Sequence, residues 1–309
     1  MSEVNASQIF AEFVERNRDV AIGVAAVTTL ANVIATSKAN TIMGVMDDLN
    51  DAAVCMQKMA DAGKRTTLIA ACDLFRRYVT RTSLEVPDFA KCKARLIDRG
   101  LRFAEHSQSA RKKICDFGVK FIQENSVILV HGHSMVVTLL LETASRLGKQ
   151  FSVIMVQSQD RMTSQAERML HHLISLSIPV TIIRDSAVAF VMDRIDLVLT
   201  GASSIVENGG VINVIGTYQV AIIAKALNRP FYVAAESYKF TRVFPLSQRD
   251  LGMGVKHAGS AYSPVDSVQF ESPVEDYTPP EYVTLLLTDL GIVTPSAVSD
   301  YNGSEAELL

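Results

Sequence analysis

The chain has 309 residues, of which 48% are hydrophobic and 20% charged, with four cysteines and no tryptophan. That balance excludes a disordered, collagenous or disulfide-scaffold protein, and the length is enough for two cores rather than one. The net charge of −3 hides an asymmetry: Arg76 to Lys120 holds 12 Lys/Arg against 5 Asp/Glu, a local +7, leaving 18 against 28 elsewhere.

Met1 to Phe10 lacks the basic start and apolar run of a signal peptide. The longest uncharged stretch, Val20 to Ser37, is 18 residues, near the lower limit for crossing a bilayer. It is rich in alanine and carries Thr28, Thr29 and Asn32, so a closely packed soluble helix is expected. Cys55, Cys72, Cys92 and Cys115 form no CxxC pair and have no histidine at metal spacing. They read as buried, reduced thiols of a cytoplasmic protein, with no metal site.

The first 120 or so residues read as helical. Thr41 opens a helix with Met46, Leu49, Ala53 and Met56 inward, and Gly63 is expected to end it. Leu68, Ala71, Cys72, Phe75 and Val79 then fall at helical spacing, with Arg76, Arg77 and Arg81 on the other side. Pro87-Asp88 starts a helix running through Leu96 and Leu101. Nothing in this part looks catalytic, and Met43, Met46, Met56 and Met59 read as core fillers. The basic segment is either a set of solvated helix faces or a surface that meets an acidic or phosphorylated partner. Nucleic acid fits less well, because no aromatic residues interleave with the cations in base-stacking fashion.

Ser126 to Val130 changes the pattern to a continuous apolar run, the first strand of an α/β half. His131-Gly132-His133-Ser134 follows, with Ser134 capping a helix to Gly148. Phe151 to Val156 and Pro179 to Ile183 are further strands, separated by a helix opened by a capping box at Ser164 to Glu167. Asp185-Ser186 starts a short helix, and strand four enters at Asp196 and ends before Gly201-Ala202. A Gly-rich loop through Asn208-Gly209-Gly210 leads to Thr217, which is expected to cap a helix through Ala221, Ile222, Ala224 and Leu227. Asn228 and Pro230 stop it, and Phe231 to Ala235 returns as a strand. Strands alternating with helices at this pitch give an open, mostly parallel, Rossmann-like sheet. Thr241 to Pro279 is aperiodic and holds Pro245, Pro264, Pro273 and Pro279, as a functional or interface-forming loop does. Pro280 and Gly291 bracket a predicted helix with Val283, Leu286, Leu287 and Leu290 on one stripe; Asn302 to Leu309 reads as a frayed tail.

In such a sheet, ligands sit beyond the carboxyl ends of the strands. His131 to Ser134, Gln157 to Asp160 and the Gly201 to Thr217 loop converge there. The helix opening near Thr217 offers free N–H groups to a phosphate. The candidate pocket is His131, Ser134, Gly201, Asn208, Gly209, Asn213, Gly216 and Thr217, suited to a sugar phosphate. Neither GxGxxG nor GxxxxGK[ST] is present.

Gly201-Ala202, Glu207-Asn208-Gly209-Gly210, Asn213 and Ile215-Gly216-Thr217, followed by an Ala/Lys helix, Pro230 to Ala234 and Ala235-Glu236-Ser237, carry a family resemblance. They resemble the alpha, beta and delta regulatory subunits of eukaryotic translation initiation factor 2B and their relatives, the methylthioribose-1-phosphate and ribose-1,5-bisphosphate isomerases. Asp276 to Pro280, Thr288 to Gly291 and Thr294 to Asp300 resemble the alpha branch. The resemblance covers roughly residues 120 to 300, and the front half by layout. It implies a helical domain over residues 1–122 and a Rossmann-like domain over 123–309. It also implies a cytoplasmic, non-catalytic regulatory subunit of the guanine nucleotide exchange factor for initiation factor 2, with exchange activity in other subunits. The implied partners are a second copy, beta and delta sister subunits, and the phosphorylated alpha subunit of initiation factor 2, coupling stress kinases to translation; no membrane is involved. Arg76, Arg77, Arg81, Arg111 and Lys112 are the candidate partner-facing cations.

The isomerases place a cysteine after the first strand, an aspartate two residues after the Gly201 equivalent, and a lysine after the Asn213 equivalent. This chain has His131 to Ser134, Ser203 and Val214 there, so no catalytic residue is assigned and no cofactor is needed. Two alternatives stand beside the regulatory reading. One is an aldose–ketose isomerase with Glu207, His131 or His133 as substitutes. The other is a subunit that senses a sugar phosphate or nucleoside monophosphate in a vestigial pocket.

Overall fold

The computed structural model describes residues 3–16, 20–60, 62–157, 163–251 and 273–301. Five helices come first: α1 (Glu3–Arg16), α2 (Ile22–Thr36), α3 (Ile42–Met59), α4 (Ala62–Glu85) and α5 (Phe89–Gly118). The Ala-rich α2 is buried along most of its length and packs against α1, α3, α4 and α5. Small side chains permit that approach: a Cβ on Gly100 of α5 would lie 2.6 Å from the Cβ of Ala31. Among the described residues no helix is long and apolar enough to cross a membrane. Thr41 caps α3 as the sequence predicts, accepting from Gly44 N (3.2 Å), and α5 starts at the predicted place but with Asp88 as its cap, accepting from Lys91 N (2.9 Å), and Pro87 outside the helix. One boundary differs. Helix α3 already stops at Met59, and Gly63 lies in the first turn of α4.

The second half is a seven-stranded sheet in the order β11-β10-β7-β4-β1-β2-β3. The parallel strands are β1 (Ser126–His131), β2 (Phe151–Gln157), β3 (Val180–Arg184), β4 (Leu197–Thr200), β7 (Phe231–Ala234) and β10 (Leu285–Thr288); β11 (Gly291–Val293) closes the edge antiparallel to β10. Between them run α6 (Met135–Arg146), α7 (Ser164–Ser175), the short α8 (Val188–Val191) and α9 (Thr217–Ala226). Taken over its parallel strands, this is the doubly wound order, and the direction of winding reverses between β1 and β4. The first turn of α7 is capped by Thr163, which accepts from Ala166 N (3.2 Å), not by Ser164.

Two segments depart from the sequence reading. The predicted helix from Pro280 to Gly291 is a 3-10 turn followed by the β10–β11 hairpin. Leu286 and Leu287 are both fully buried, but in different cores, one on each face of the sheet. A short apolar run buried on both faces mimics a helical stripe. The Gly-rich loop, for its part, is a hairpin of β5 (Ser204–Val206) and β6 (Val211–Val214). With β8 (Phe240–Thr241) and β9 (Glu275–Thr278) it makes a second sheet, β8-β5-β6-β9, so the aperiodic stretch after Thr241 supplies strands at its ends. Strands of two to four residues are too short to show alternation. Pro264 and Asn302 to Leu309 lie outside the described residues.

The two halves share residues. Tyr238, just after β7, is buried in the helical core with its ring 5.4 Å from that of Phe103, edge to face. Conversely, Ile114 and Cys115 of α5 belong to the core on one face of the large sheet. All four cysteines are free and buried. Burial pushes the Cys72 thiol up to about 12 and Cys115 to about 11, so neither is a ready thiolate.

Candidate functional site

At the winding reversal, β1 delivers His131 and β4 delivers Thr200 side by side. Thr200 Oγ1 donates to His131 O (2.9 Å). Asn213 on β6 donates from Nδ2 to Thr200 Oγ1 and to Thr217 Oγ1, both at 3.1 Å, and Thr217 Oγ1 donates to Val214 O (2.6 Å). Every donor in this run of bonds has an acceptor within the chain. His131 is fully buried, and burial lowers its pKa below the usual imidazole value. Neutral at pH 7, its Nε2 faces Ile215 O at 3.1 Å, which assigns the N–H to that nitrogen and leaves buried Nδ1 without a partner.

Glycines bring the walls together. A Cβ on Gly201 would lie 2.5 Å from the Cβ of Ser134, so the exit of β4 lies against the N-cap of α6, where Ser134 Oγ accepts from Val137 N (3.5 Å). Gly132 has a positive φ of 71°, and a Cβ there would meet Val214 Cγ1 at 2.7 Å. Where the isomerases carry a lysine, this chain packs a hydrocarbon onto the floor of the cradle.

The N-terminus of α9 is also spoken for. Gly216, at φ 96°, is the N-cap and supplies no side chain, so Thr217 is the first helical residue rather than the cap. The capping carboxylate comes from β9: Asp276 Oδ2 accepts from Gly216 N (2.7 Å) and Tyr218 N (3.1 Å). Burial drives the Asp276 carboxyl up to about 6 against the pull of those hydrogen bonds. Asp276 thus occupies the N–H groups that the sequence offered to a phosphate. Beside it Glu275, likewise raised by burial, accepts from Thr66 Oγ1 of α4, and Thr67 Oγ1 donates to Ser203 O (3.0 Å). Ser203, at the aspartate position of the isomerases, gives its carbonyl to Thr67 of the helical half and its side chain to Glu275.

The structure brings His131, Ser134, Gly201, Asn213, Gly216 and Thr217 together, but not Asn208 and Gly209. These two form the tip of the β5–β6 hairpin. Asn208 donates to Tyr277 Oη (2.7 Å) and accepts from Gly210 N (2.9 Å), and Gly209, at φ 84°, passes so close to Pro295 that a Cβ would lie 2.0 Å from its carbonyl oxygen. Their role is to dock the hairpin. Residues 158–162, part of the third converging segment, lie outside the described residues. Sequence reasoning missed Thr200, Asp276, Glu236 and Lys239. Glu236 follows β7 and is 2% exposed. It accepts from Arg111 Nε (2.8 Å), while Lys239 Nζ lies 3.0 Å from its other oxygen in an ion pair that is not aligned as a hydrogen bond.

That pairing corrects one predicted partner-facing cation. Arg111 is buried beneath the sheet's carboxyl end and cannot meet a partner, whereas Lys112 beside it is exposed. Arg76, Arg77 and Arg81 do gather, along an open groove of about 650 Å³ between α3 and α4. Met46, Asn50, Asp73, Thr80 and Leu84 complete that wall, and Arg242, distant in sequence, closes it. Arg76 bonds Asn50 Oδ1 (2.8 Å) and pairs with Asp73; Arg81 pairs with Glu85 (2.9 Å).

The family described as the initiation factor 2 subunit family matches residues 16–295. Translation initiation factor eIF2B subunit alpha of Dictyostelium discoideum is 42% identical over 303 residues, covering 94% of this chain and 93% of that protein. The Caenorhabditis elegans protein of the same name is 33% identical over 289 residues, covering 93% of both. Ribose 1,5-bisphosphate isomerase of Thermococcus kodakarensis is 33% identical, but over 66% of this chain and 65% of its own. Among solved structures, a chain of the tetrameric eIF2B-beta2-delta2 complex from C. thermophilum superposes with a TM-score of 0.79 at 17% identity, covering 99% of this chain and 96% of that one. Translation initiation factor eIF-2B of Pyrococcus horikoshii gives 0.70 at 21%, covering 94% and 97%. These two establish the fold, and the sequence relatives establish kinship: the chain belongs to the initiation factor 2 subunit family.

Proposed function

We propose that this chain is a non-catalytic regulatory subunit of the guanine nucleotide exchange factor for initiation factor 2. In this reading it pairs with a second copy of itself, joins beta and delta sister subunits, and uses its helical half to read the phosphorylated alpha subunit of initiation factor 2. The observation that carries the reading is the 42% identity to an alpha subunit across nearly the whole of both chains. The cradle supports it. Where the isomerases act there is Ser203, its side chain on Glu275, and Val214 packed on Gly132, and every cysteine lies in a helix before β1. The groove suits the phosphorylated partner, since four of its residues are arginines and one is an acid. Co-expression with beta and delta subunits, followed by size-exclusion chromatography and mass spectrometry, tests the proposal. Co-elution as a larger complex is expected; a monomer that ignores both partners refutes it.

One observation favours pocket sensing as a second role. His133 is lowered to about 4 by burial and by the neighbouring charges of Arg168 and Lys239, which places cations near the strand ends. A sugar phosphate or nucleoside monophosphate bound there would raise the melting temperature, and Lys239→Met would remove the rise. No shift at millimolar ligand ends this second reading and leaves the first intact.

A further inference from the structure

Immediately after Arg242 the chain displays an apolar ribbon. Val243, Phe244 and Leu246 are 49%, 59% and 82% exposed, whereas Pro245 between them is buried. Such a run in a loose loop would mean little, but here the backbone is held at both ends. Glu207 N donates to Val243 O (3.1 Å). Leu246 N and Ser247 N both donate to Asp250 Oδ2 at 2.8 Å, within a capping box. Gln248 then clamps Tyr277 of β9 in two directions, donating to its O (2.6 Å) and accepting from its N (2.8 Å). The fold therefore holds eight residues of backbone, Val243 to Asp250, in an arrangement that keeps three large apolar side chains in water. Rigid, contiguous apolar display of this kind marks an interaction surface.

The ribbon is continuous with the basic groove, because Arg242 lines the groove and Val243 begins the ribbon. Within the groove, Met46 and Leu84 add apolar surface beside Arg76, Arg77 and Arg81. Charge and apolar area thus alternate along one path from α4 to the β8 exit.

We infer that groove and ribbon form a single two-part docking surface for one partner segment, whose phosphorylated or acidic side chain enters the arginines while a flanking aliphatic or aromatic side chain covers Phe244 and Leu246. This rests on the phospho-reading proposed above and adds the second half of the epitope. The arginine contacts supply discrimination by phosphorylation and are screened by salt. The ribbon supplies phosphorylation-independent affinity that salt hardly touches.

The test uses the full-length chain co-expressed with beta and delta subunits, titrated with the alpha subunit of initiation factor 2 in phosphorylated and unphosphorylated forms. Phe244→Ser/Leu246→Ser, both at exposed positions, is expected to weaken both forms by about tenfold while keeping the ratio between them and the salt dependence. Arg77→Ala/Arg81→Ala is expected to abolish the ratio instead. If the wild type binds both forms alike or neither, the phospho-reading falls and takes this inference with it. If the wild type discriminates and the ribbon variant binds as wild type, the inference alone is overturned. Loss of co-purification with beta and delta in the ribbon variant also overturns it, since the ribbon is then an assembly surface.

Discussion

Removing the charge of Glu236 is the sharpest perturbation of this fold. Burial alone would push its carboxyl up, but Lys239 and Arg111, the latter also as hydrogen-bond donor, hold it down at about 2 against an ordinary 4.5. That difference corresponds to about 3 kcal/mol of stabilisation of the charged form at 1.36 kcal/mol per unit. Breaking a buried pair by deleting one partner costs a similar 3–5 kcal/mol or so, because the orphaned charge stays desolvated. Glu236→Gln and Arg111→Met are therefore each expected to lower the urea-unfolding free energy at pH 7 by about 3 kcal/mol. The double replacement Arg111→Met/Glu236→Met should cost well under the sum, since no charge is stranded between these two positions. The sign with pH is fixed. A depressed carboxylate contributes stability above its unfolded value, so the wild-type advantage over Glu236→Gln persists down to about pH 4.5 and fades as pH falls toward 2. A Glu236→Gln protein within about 0.5 kcal/mol of wild type at pH 7 would refute the reasoning, as would additive single effects.

Three further outcomes follow from the cradle and the joint. Asp276 is raised from 3.8 to about 6, so its contribution is fully present below about pH 4 and is lost as pH rises through 6. Asp276→Asn, which keeps an acceptor for Gly216 N and Tyr218 N, should gain up to about 3 kcal/mol relative to wild type between pH 4 and pH 8; a pH-independent difference in paired melts contradicts this. Gly209→Ala puts a Cβ against Pro295 at a positive φ and should destabilise by about 2 kcal/mol or more in urea, whereas Gly148→Ala, also at positive φ but with open space, should cost about 1 kcal/mol. Equal losses would show that the contact with Pro295 is immaterial. Gly23→Ala brings a Cβ to 2.9 Å from the Tyr238 ring and should cost about 1–3 kcal/mol; Tyr238→Leu in the same chain should recover part of it, and strict additivity would deny the contact.

What the sequence showed depended on range. Thr41 and Ser134 were readable as caps, and Pro87-Asp88 as a helix start, because a cap is settled within three residues. The order of strands and helices was readable because each βα pitch is local. Leu286 and Leu287 misled because an uninterrupted apolar run carries no period, and only the partner strands decide between a helix face and two sheet faces. Arg111 looked like Arg76 and Arg77 by charge and helical setting. Nothing near it announces an acid 125 residues further on that draws it inward. Arg242 and Asp276 failed to stand out for the same reason: each gains its meaning from α4 or α9, elements that join it only once the chain has folded.

The cradle now works as a joint. Much of what a ligand would use is taken up by the chain itself, with Asn213 on two threonine hydroxyls, Asp276 Oδ2 on the first N–H groups of α9 and Val214 on Gly132, while His131 Nδ1 and Asp276 Oδ1 stay unpaired. Each closure ties an element of the small sheet to the large one. Two to four residues beyond β7, the chain is tied to the helical half through Glu236 on Arg111 and Tyr238 in the helical core, and to the β10–β11 turn through Ser237 on Asp289 (2.7 Å from both its N and its Oγ). Arg242 and the ribbon leave directly from that anchored stretch, so their placement relative to the arginines of α4 is set before any partner arrives. A surface preorganised in this way loses little conformational freedom on binding. If the groove is the docking surface proposed above, loosening the joint should weaken recognition there although the groove's own side chains are untouched. Tyr238→Ala, folded at low temperature, should bind the phosphorylated partner more weakly than wild type while keeping its salt dependence. Unchanged affinity would mean that the groove is organised by α3 and α4 alone.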